Sequence, residues 1–440
     1  MIYIELMTIQ KSYKILLVTL VLALFTNNVM ACSMYKITAA GKTIVGCNHD
    51  TWLTTPKIWF EKAKRHDGYG TVFTGSRQVS ANRTTPQSGM NTAGLVFSRL
   101  SSYYPKQSNR FKARRKITNE ADYLSEILRR CATVKEVKKY IQQYDHSFFL
   151  NDVFIYIDSL GAYLIVEPYK LIEGNNPNYV LANFCPSITN NEQARKLERY
   201  RNGVDFLKSH KVSSSLDFST ALADTMAVCR SRNGDGTLIT SIFDTKEKVV
   251  GIYFYHNFDS LVQFNLIDEL SKGDHILNIA EIFPWNPEFE RLINFKTPSN
   301  TPALRLLLGL FAGLLALNSV VLLLSQIQKN KRSPFSFKSV LVLVSLNFIL
   351  IAYIVVLNTN NSIFYFDVPY QHYNSSLISA SSYTPFLLLG LFLPLVIHTR
   401  NSLKAKKPKL WLRTILVLNQ VLYFMLLLSF GYWGLFNFWN

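Results

Sequence analysis

The sequence predicts an α+β domain of layered sheets and helices, followed by a region of four membrane helices. Three observations carry this reading. A cysteine stands directly behind a signal-peptide pattern, strand-like and helix-like stretches alternate after it, and the last part of the chain is a series of long apolar runs separated by basic loops.

The first element is the signal peptide, residues 1–31. Lys11 and Lys14 precede the apolar run Ile15–Phe25, a polar Thr26-Asn27-Asn28 follows, and Val29-Met30-Ala31 suits signal peptidase. The apolar core is too short to span a bilayer with ease. Cleavage after Ala31 makes Cys32 the new N-terminus, with a thiol and a free α-amine on one residue. That amine titrates near ~7.7–8.0 and a free thiol near ~8.5. Nucleophile and base can therefore be the same residue.

The second element is a domain spanning residues 32–297. Strand-like runs are Ser33–Ile37, Thr43–Val45, Gly94–Phe97, Val153–Ile157, Tyr163–Val166, Tyr179–Ala182, Leu238–Phe243 and Val249–Tyr255. Amphipathic helical stretches are Glu120–Cys131, Val134–Tyr144, Asn191–His210 and Leu216–Ala227. Strands lead, and two helical blocks alternate with further strands, which favours layered sheets and helices. About 270 residues are enough for one sizeable core.

Residues 298–303, overlapping the Pro- and Ser-containing stretch Thr297–Pro302, read as a linker. Residues 304–440 then carry four membrane helices at about 304–325, 339–357, 384–398 and 411–433, the third short and containing Pro385 and Pro394. The loop after the first helix holds Lys329, Lys331, Arg332 and Lys338. The loop after the third holds Arg400, Lys404, Lys406, Lys407 and Lys409, and the loop between them has no Lys or Arg. Positive loops stay in the cytoplasm, so the 32–297 domain is expected outside it, in agreement with the signal peptide. The chain reads as a multi-pass membrane protein with an extracytoplasmic domain.

Net charge is +18, and more than half of it lies in the short tail, where Asp367 is the one acidic residue. This charge follows membrane topology and forms no patch on a fold, which argues against a nucleic-acid partner. The five cysteines, at 32, 47, 131, 185 and 229, leave open zero, one or two disulfides beside a free Cys32. No metal and no cofactor is expected. His49 beside Asp50 lacks a second His, Cys or Asp cluster at ligand spacing, so it reads as a solvated or packing residue. The oligomeric state is open.

Four motifs carry the chemistry. Cys32-Ser33-Met34-Tyr35-Lys36-Ile37-Thr38 and Thr43-Ile44-Val45-Gly46 form a hairpin that ends in Cys47-Asn48-His49-Asp50. Downstream lie Gly89-Met90-Asn91-Thr92-Ala93-Gly94-Leu95, Tyr179-Val180-Leu181-Ala182-Asn183-Phe184-Cys185-Pro186, and Gly236-Thr237-Leu238-Ile239-Thr240-Ser241-Ile242-Phe243-Asp244. Together they resemble the choloylglycine hydrolase, penicillin V acylase and acyl-coenzyme A:6-aminopenicillanic acid acyl-transferase group of N-terminal-nucleophile (Ntn) hydrolases. These are linear amide C–N hydrolases with an αββα four-layer sandwich. The resemblance covers most of Cys32–Tyr255 and none of the tail.

It implies a terminal-cysteine nucleophile at Cys32, an aspartate at Asp50 that holds the α-amine, and an oxyanion donor in the side-chain amide of Asn183. A backbone amide after the Gly-Leu strand adds a second oxyanion donor, for which spacing points to Ser101. Asn48, and Arg230 or Arg232, are further candidates for positioning substrate or supplying positive charge. Asn91 reads as a turn residue. The group's choloylglycine hydrolases and acid-ceramidase-like members carry arginine where this chain has Cys47, which weakens a bile-salt reading. The implied substrate is a small-molecule N-acyl amide, hydrolysed or used for acyl transfer through a thioester on Cys32.

Two other classes compete. Val29-Met30-Ala31-Cys32 also resembles a lipobox, whose acylated cysteine would lose amine-base chemistry, so the domain could be a non-enzymatic, lipoprotein-type or ligand-binding envelope protein. A transporter formed by the four helices is disfavoured, because away from their ends they hold no charged residue.

Overall fold

The computed structural model describes residues 32–51, 54–78, 83–108, 111, 113–228, 236–327, 336–365, 368, 376–406 and 410–437. The signal-peptide segment, Cys229, Arg230 and Arg232 lie outside the described residues. The chain divides into two compact units, one ending at Asn294 and one running from Phe295.

The first unit contains fourteen strands among the described residues. They are β1 (Ser33–Ala39), β2 (Lys42–Thr51), β3 (Pro56–Glu61), β4 (Thr71–Gln78), β5 (Arg83–Asn91), β6 (Val96–Ser101), β7 (Asp152–Ile157), β8 (Tyr163–Val166), β9 (Leu171–Gly174), β10 (Asn178–Leu181), β11 (Gly236–Asp244), β12 (Val249–Phe254), β13 (Asn257–Asn265) and β14 (His275–Asn278). One antiparallel sheet has the order β10-β1-β2-β11-β12-β13. The other has the order β14-β3-β4-β5-β6-β7-β8-β9.

Helices α1 (Glu120–Arg130) and α2 (Val134–Ile141) pack on the eight-stranded sheet. Leu124, Ile127, Leu128, Val137 and Ile141 meet Phe73, Phe97, Phe154 and Leu164 in one buried cluster. Their starts are set locally, since Asn119 caps α1 and a Thr133/Glu136 capping box opens α2. Short α3 (Asn191–Arg195) is followed by α4 (Glu198–Ser209) and α5 (Leu216–Thr225). Leu222, Ala223 and Met226 pack on Tyr35, Ile37 and Val180 of the six-stranded sheet. Helices α6 (Leu266–Ser271) and α7 (Pro287–Asn294) complete the unit.

The sheets also touch each other, and here the side chains are hydroxyls. Thr74 Oγ1 of β4 lies 3.2 Å from Ser241 Oγ of β11 and 2.6 Å from Ser88 Oγ of β5, all buried. The β1–β2 hairpin is tight where it matters. A Cβ on Gly46 would lie 2.1 Å from the Tyr35 ring of its cross-strand partner, so the position requires glycine.

The structure differs from the sequence reading at several elements. The second strand runs to Thr51, so Asn48–Asp50 are strand residues and not its trailing turn. The single stretch Asn191–His210 is two helices, broken at Lys196-Leu197. Strands β3, β4, β5, β9, β13 and β14 went unread, β5 because Arg83–Asn91 carries Thr, Pro, Gln and Ser in place of an apolar alternation. Asn91 ends β5, and its side chain holds the turn that follows. Its Oδ1 accepts from the N–H groups of Ala93 and Leu95, and its Nδ2 donates to the carbonyls of Leu128 and Cys131.

Among its described residues, the second unit has four helices long and apolar enough to cross a membrane: α8 (Pro302–Ile327), α9 (Phe337–Thr359), α11 (Thr384–Lys406) and α12 (Leu410–Tyr432), with the short α10 (Ser376–Ser381) before α11. The third span exceeds the expected 384–398. Pro385 sits in its first turn, where its missing N–H is harmless, and the helix continues through Pro394. Leu306, Leu317, Leu341, Phe348 and Leu428 are half or more exposed, as lipid-facing side chains are.

Candidate active site

Register places the site before any side chain is considered. Strand β1 lies between β10 and β2, with Met34 opposite Leu181 on one side and Ser33 opposite Asn48 on the other. Continuing both ladders, Cys32 falls between Asn183 and His49. Its nitrogen donates to Asn183 Oδ1 at 3.0 Å. In the full chain this is the nitrogen of the Ala31–Cys32 peptide bond, and cleavage there would turn it into the α-amine. Cys32 Sγ lies 3.8 Å from His49 Nδ1 and 3.9 Å from the backbone oxygen of Asp50.

Asn183 joins three elements. Its Oδ1 also accepts from Arg199 Nη1 of α4 at 2.9 Å, and its Nδ2 donates to the Ser101 carbonyl at the end of β6 at 2.7 Å. An amide nitrogen carries two hydrogens, so one is committed to Ser101. The Ser101 backbone is also among the groups that draw the Cys32 thiol downward.

Alternation along β2 sends Asp50 to the helix-facing side of the sheet. Asp50 Oδ1 accepts from Thr237 Oγ1 at 2.6 Å, its directly opposed residue on β11. Its Oδ2 lies 3.5 Å from Arg199 Nη1, with both side chains almost wholly buried. Arg199 therefore links the aspartate to the asparagine. Asn48 shares that face, but its carboxamide is engaged in packing: Nδ2 donates to the Ala223 carbonyl of α5 at 2.8 Å, and Oδ1 accepts from Thr240.

Burial, then the nearby Asp50 carboxylate, pushes the Cys32 thiol up to about 12, against the pull of Asp50 and Ser101 backbone groups and the Arg199 charge. The thiol is thus protonated at neutral pH and needs a base to attack anything. Cys47 faces Ser98 in the other sheet, and burial pushes its thiol up to about 12 as well. Cys32, Cys47, Cys131 and Cys185 are free thiols, and among the described residues there is no disulfide.

Cys32, Asp50, Asn183 and Ser101 are thus neighbours here, while Asn48 is one strand step away in a packing role. Two residues were missed. Arg199 is a charged residue on the buried face of an amphipathic helix, shared with Gly203, and that misplacement was the available signal. His49 was discounted, although hairpin register alone puts it across from Cys32.

No family model matches the chain, and no curated protein matches it. Among solved structures, it is similar to a mutant of conjugated bile acid hydrolase from Clostridium perfringens (TM-score 0.44, 15% identity, covering 58% of this chain and 97% of that one). A second variant of the same enzyme gives TM-score 0.43 at 16% identity, with the same coverage. Penicillin V acylase from Agrobacterium tumefaciens gives TM-score 0.42 at 13% identity, over 56% of this chain and 90% of that one.

Proposed function

We propose that this protein is a membrane-tethered, extracytoplasmic cysteine amidase of the Ntn type, with an αββα catalytic unit. It would hydrolyse a linear N-acyl amide, or transfer its acyl group, through a thioester on Cys32. One observation carries the reading: Cys32 opens the first strand with its nitrogen on Asn183, its thiol beside main-chain groups of Asp50 and Ser101, and a buried Asp50–Arg199 pair behind them.

The chemistry follows from those positions. Removal of residues 1–31 frees the α-amine, which takes the thiol proton as sulfur attacks the amide carbonyl. Charge on the carbonyl oxygen is met by the Ser101 N–H and by the second hydrogen of Asn183 Nδ2. Collapse breaks the C–N bond, and the α-ammonium returns its proton to the leaving amine. Water, or a second amine for transfer, then attacks the thioester with the α-amine again as base. Asp50 and Arg199 hold Asn183 and the terminal nitrogen in place. In the uncleaved chain that nitrogen is an amide without basicity, so the precursor would be inactive.

Cys47, a neutral buried thiol where bile-salt hydrolases of the resembling group have arginine, points away from anionic bile salts. The basic loops support the extracytoplasmic placement. The test is to give the processed full-length protein a panel of N-acyl amines, penicillin V and a conjugated bile salt, and to look for acylated Cys32 by mass spectrometry. An adduct from an N-acyl amine supports the reading. No adduct from any amide, in protein with a free Cys32 amine, leaves a binding module in its place.

A further inference from the structure

We propose that the processed chain holds a thiophilic divalent cation, Zn²⁺, between the Cys32 thiolate, the Cys32 α-amine and the His49 imidazole, and that occupancy switches the site off reversibly. This rests on the reading of Cys32 as the mature N-terminus.

The backbone supplies the juxtaposition. The Ser33–Asn48 pair makes Cys32 and His49 the next cross-strand neighbours, whose Cβ atoms in such pairs lie ~4.5–5.5 Å apart. The side chains finish it, with Sγ 3.8 Å from Nδ1. Zinc bonds of ~2.3 Å to sulfur and ~2.0–2.1 Å to nitrogen, at a tetrahedral angle, put two such donors ~3.5–3.6 Å apart. A shift of a few tenths of an ångström brings both into range.

The ring is also oriented for it. His49 Nε2 lies 3.5 Å from Ser76 Oγ, so in the Nε2–H tautomer the hydrogen faces that hydroxyl and the Nδ1 lone pair faces the sulfur. An outer partner on the second ring nitrogen is the usual companion of a metal-bound histidine. The α-amine is the third donor. With the thiolate of the same residue it closes a five-membered chelate ring, and Asn183 Oδ1 already holds that nitrogen. One thiolate and two nitrogens suit zinc far better than magnesium or calcium.

Among the described residues, no group of three His, Cys, Asp or Glu side chains could hold a metal. This site has only two such side chains, and its third ligand is main chain created by processing. Binding is proton exchange without redox: the thiol gives up its proton, and so does the α-amine where it is protonated. The metal then occupies the lone pairs that would attack the amide and accept the thiol proton, so a filled site cannot turn over.

The experiment uses the processed full-length protein in detergent, its N-terminus verified by intact mass. Co²⁺ serves as a spectroscopic probe and Zn²⁺ is titrated against a chromophoric chelator. We expect one ion per chain, with thiolate-to-cobalt charge transfer. Cys32→Ala abolishes that band. Ser76→Ala weakens binding by ~10–100-fold, as loss of an outer-shell partner does, and His49→Gln weakens it further. Melting curves confirm that each variant folds. Equal Zn²⁺ affinity in wild type and His49→Gln overturns the metal site. Acyl-enzyme formation without His49-dependent metal binding overturns it while leaving the amidase reading intact. His49-dependent binding by a metal-free-tested protein that acylates on no amide overturns the amidase reading alone. A mature terminus other than Cys32 overturns both.

Discussion

Each of the two units buries a polar network, and the networks differ in kind. In the first, a buried ion pair, Asp50 and Arg199, is wired through Asn183 to the nitrogen of a buried thiol residue. In the second, every member is neutral. Asn347 Nδ2 donates to Ser319 Oγ at 2.9 Å and to Asn419 Oδ1 at 3.2 Å, Asn318 Nδ2 donates to Asn419 Oδ1, and Tyr423 Oη donates to Asn347 Oδ1 at 2.6 Å. These bonds join α8, α9 and α12, and Gln420 adds one to Thr399 of α11 at 3.2 Å. Neutral amides between apolar helices are glue, worth about 0.6–2 kcal/mol each. Burying a charge pair costs several kcal/mol per ion before attraction repays it, so a buried ion pair is a poor way to gain stability. On the proposed function, the first network serves chemistry and the second assembly.

Substitutions can break that division. Cys32→Ala should remove on the order of 10⁴-fold or more of turnover while the melting temperature holds, and Cys32→Ser should retain a small remainder. A Cys32→Ala protein that turns over like wild type ends the assignment. Arg199→Ala should cost about 3–5 kcal/mol in denaturant unfolding, because it leaves the Asp50 charge buried without its arginine. Adding Asp50→Asn should restore much of that stability but none of the activity. If the double variant works normally, the pair is structural only.

Asn183→Ala should lower kcat by ~10²–10³ with KM little changed. A raised KM at constant kcat makes Asn183 a binding residue instead. In the second unit, Asn347→Leu should cost about 1–2 kcal/mol of helix association, read by unfolding in detergent, with kcat unchanged. A fall in kcat there would dissolve the contrast between the networks.

A further expected effect is on pH. Burial lowers His49 from 6.5 to about 4, helped by the Arg99 charge, and lowers His146 to about 3. The unfolded chain therefore takes up these protons near pH 6.5, while the folded chain remains neutral until about 4 and 3. Stability is full above pH 6.5 and falls as pH drops through that window. His49→Gln should flatten the upper part of the decline, and an unchanged slope would mean His49 is solvated.

The legible part of this protein was what local sequence pattern controls. The apolar spans, the amphipathic stretches of α1 and α2, and the Cys32 hairpin announce themselves by composition and spacing. β4 and β5 did not, because the layer between the sheets is built of Thr74, Ser76, Ser88, Ser98 and Ser241, all buried hydroxyls that erase the apolar alternation of ordinary core strands. Cys32, Asp50 and Asn183 were found through motif resemblance, but the partner that ties them, Arg199, comes from a helix whose pattern says only that it is amphipathic. His49 is legible in principle, because antiparallel register puts residue 49 across from residue 32. Arg230 and Arg232, candidates for supplying positive charge from another strand, lie outside the described residues.

On the proposed function, Cys32 is both the mature N-terminus and the residue that carries the acyl group. Intact-mass and peptide analysis of the full-length protein, isolated from membranes before and after exposure to an N-acyl amine, tests both halves at once. The expected result is a chain beginning at Cys32 with a free amine, gaining one acyl mass on the Cys32 sulfur. A chain that begins elsewhere, a lipidated or acylated Cys32 amine, or an acyl group on any other residue would contradict it.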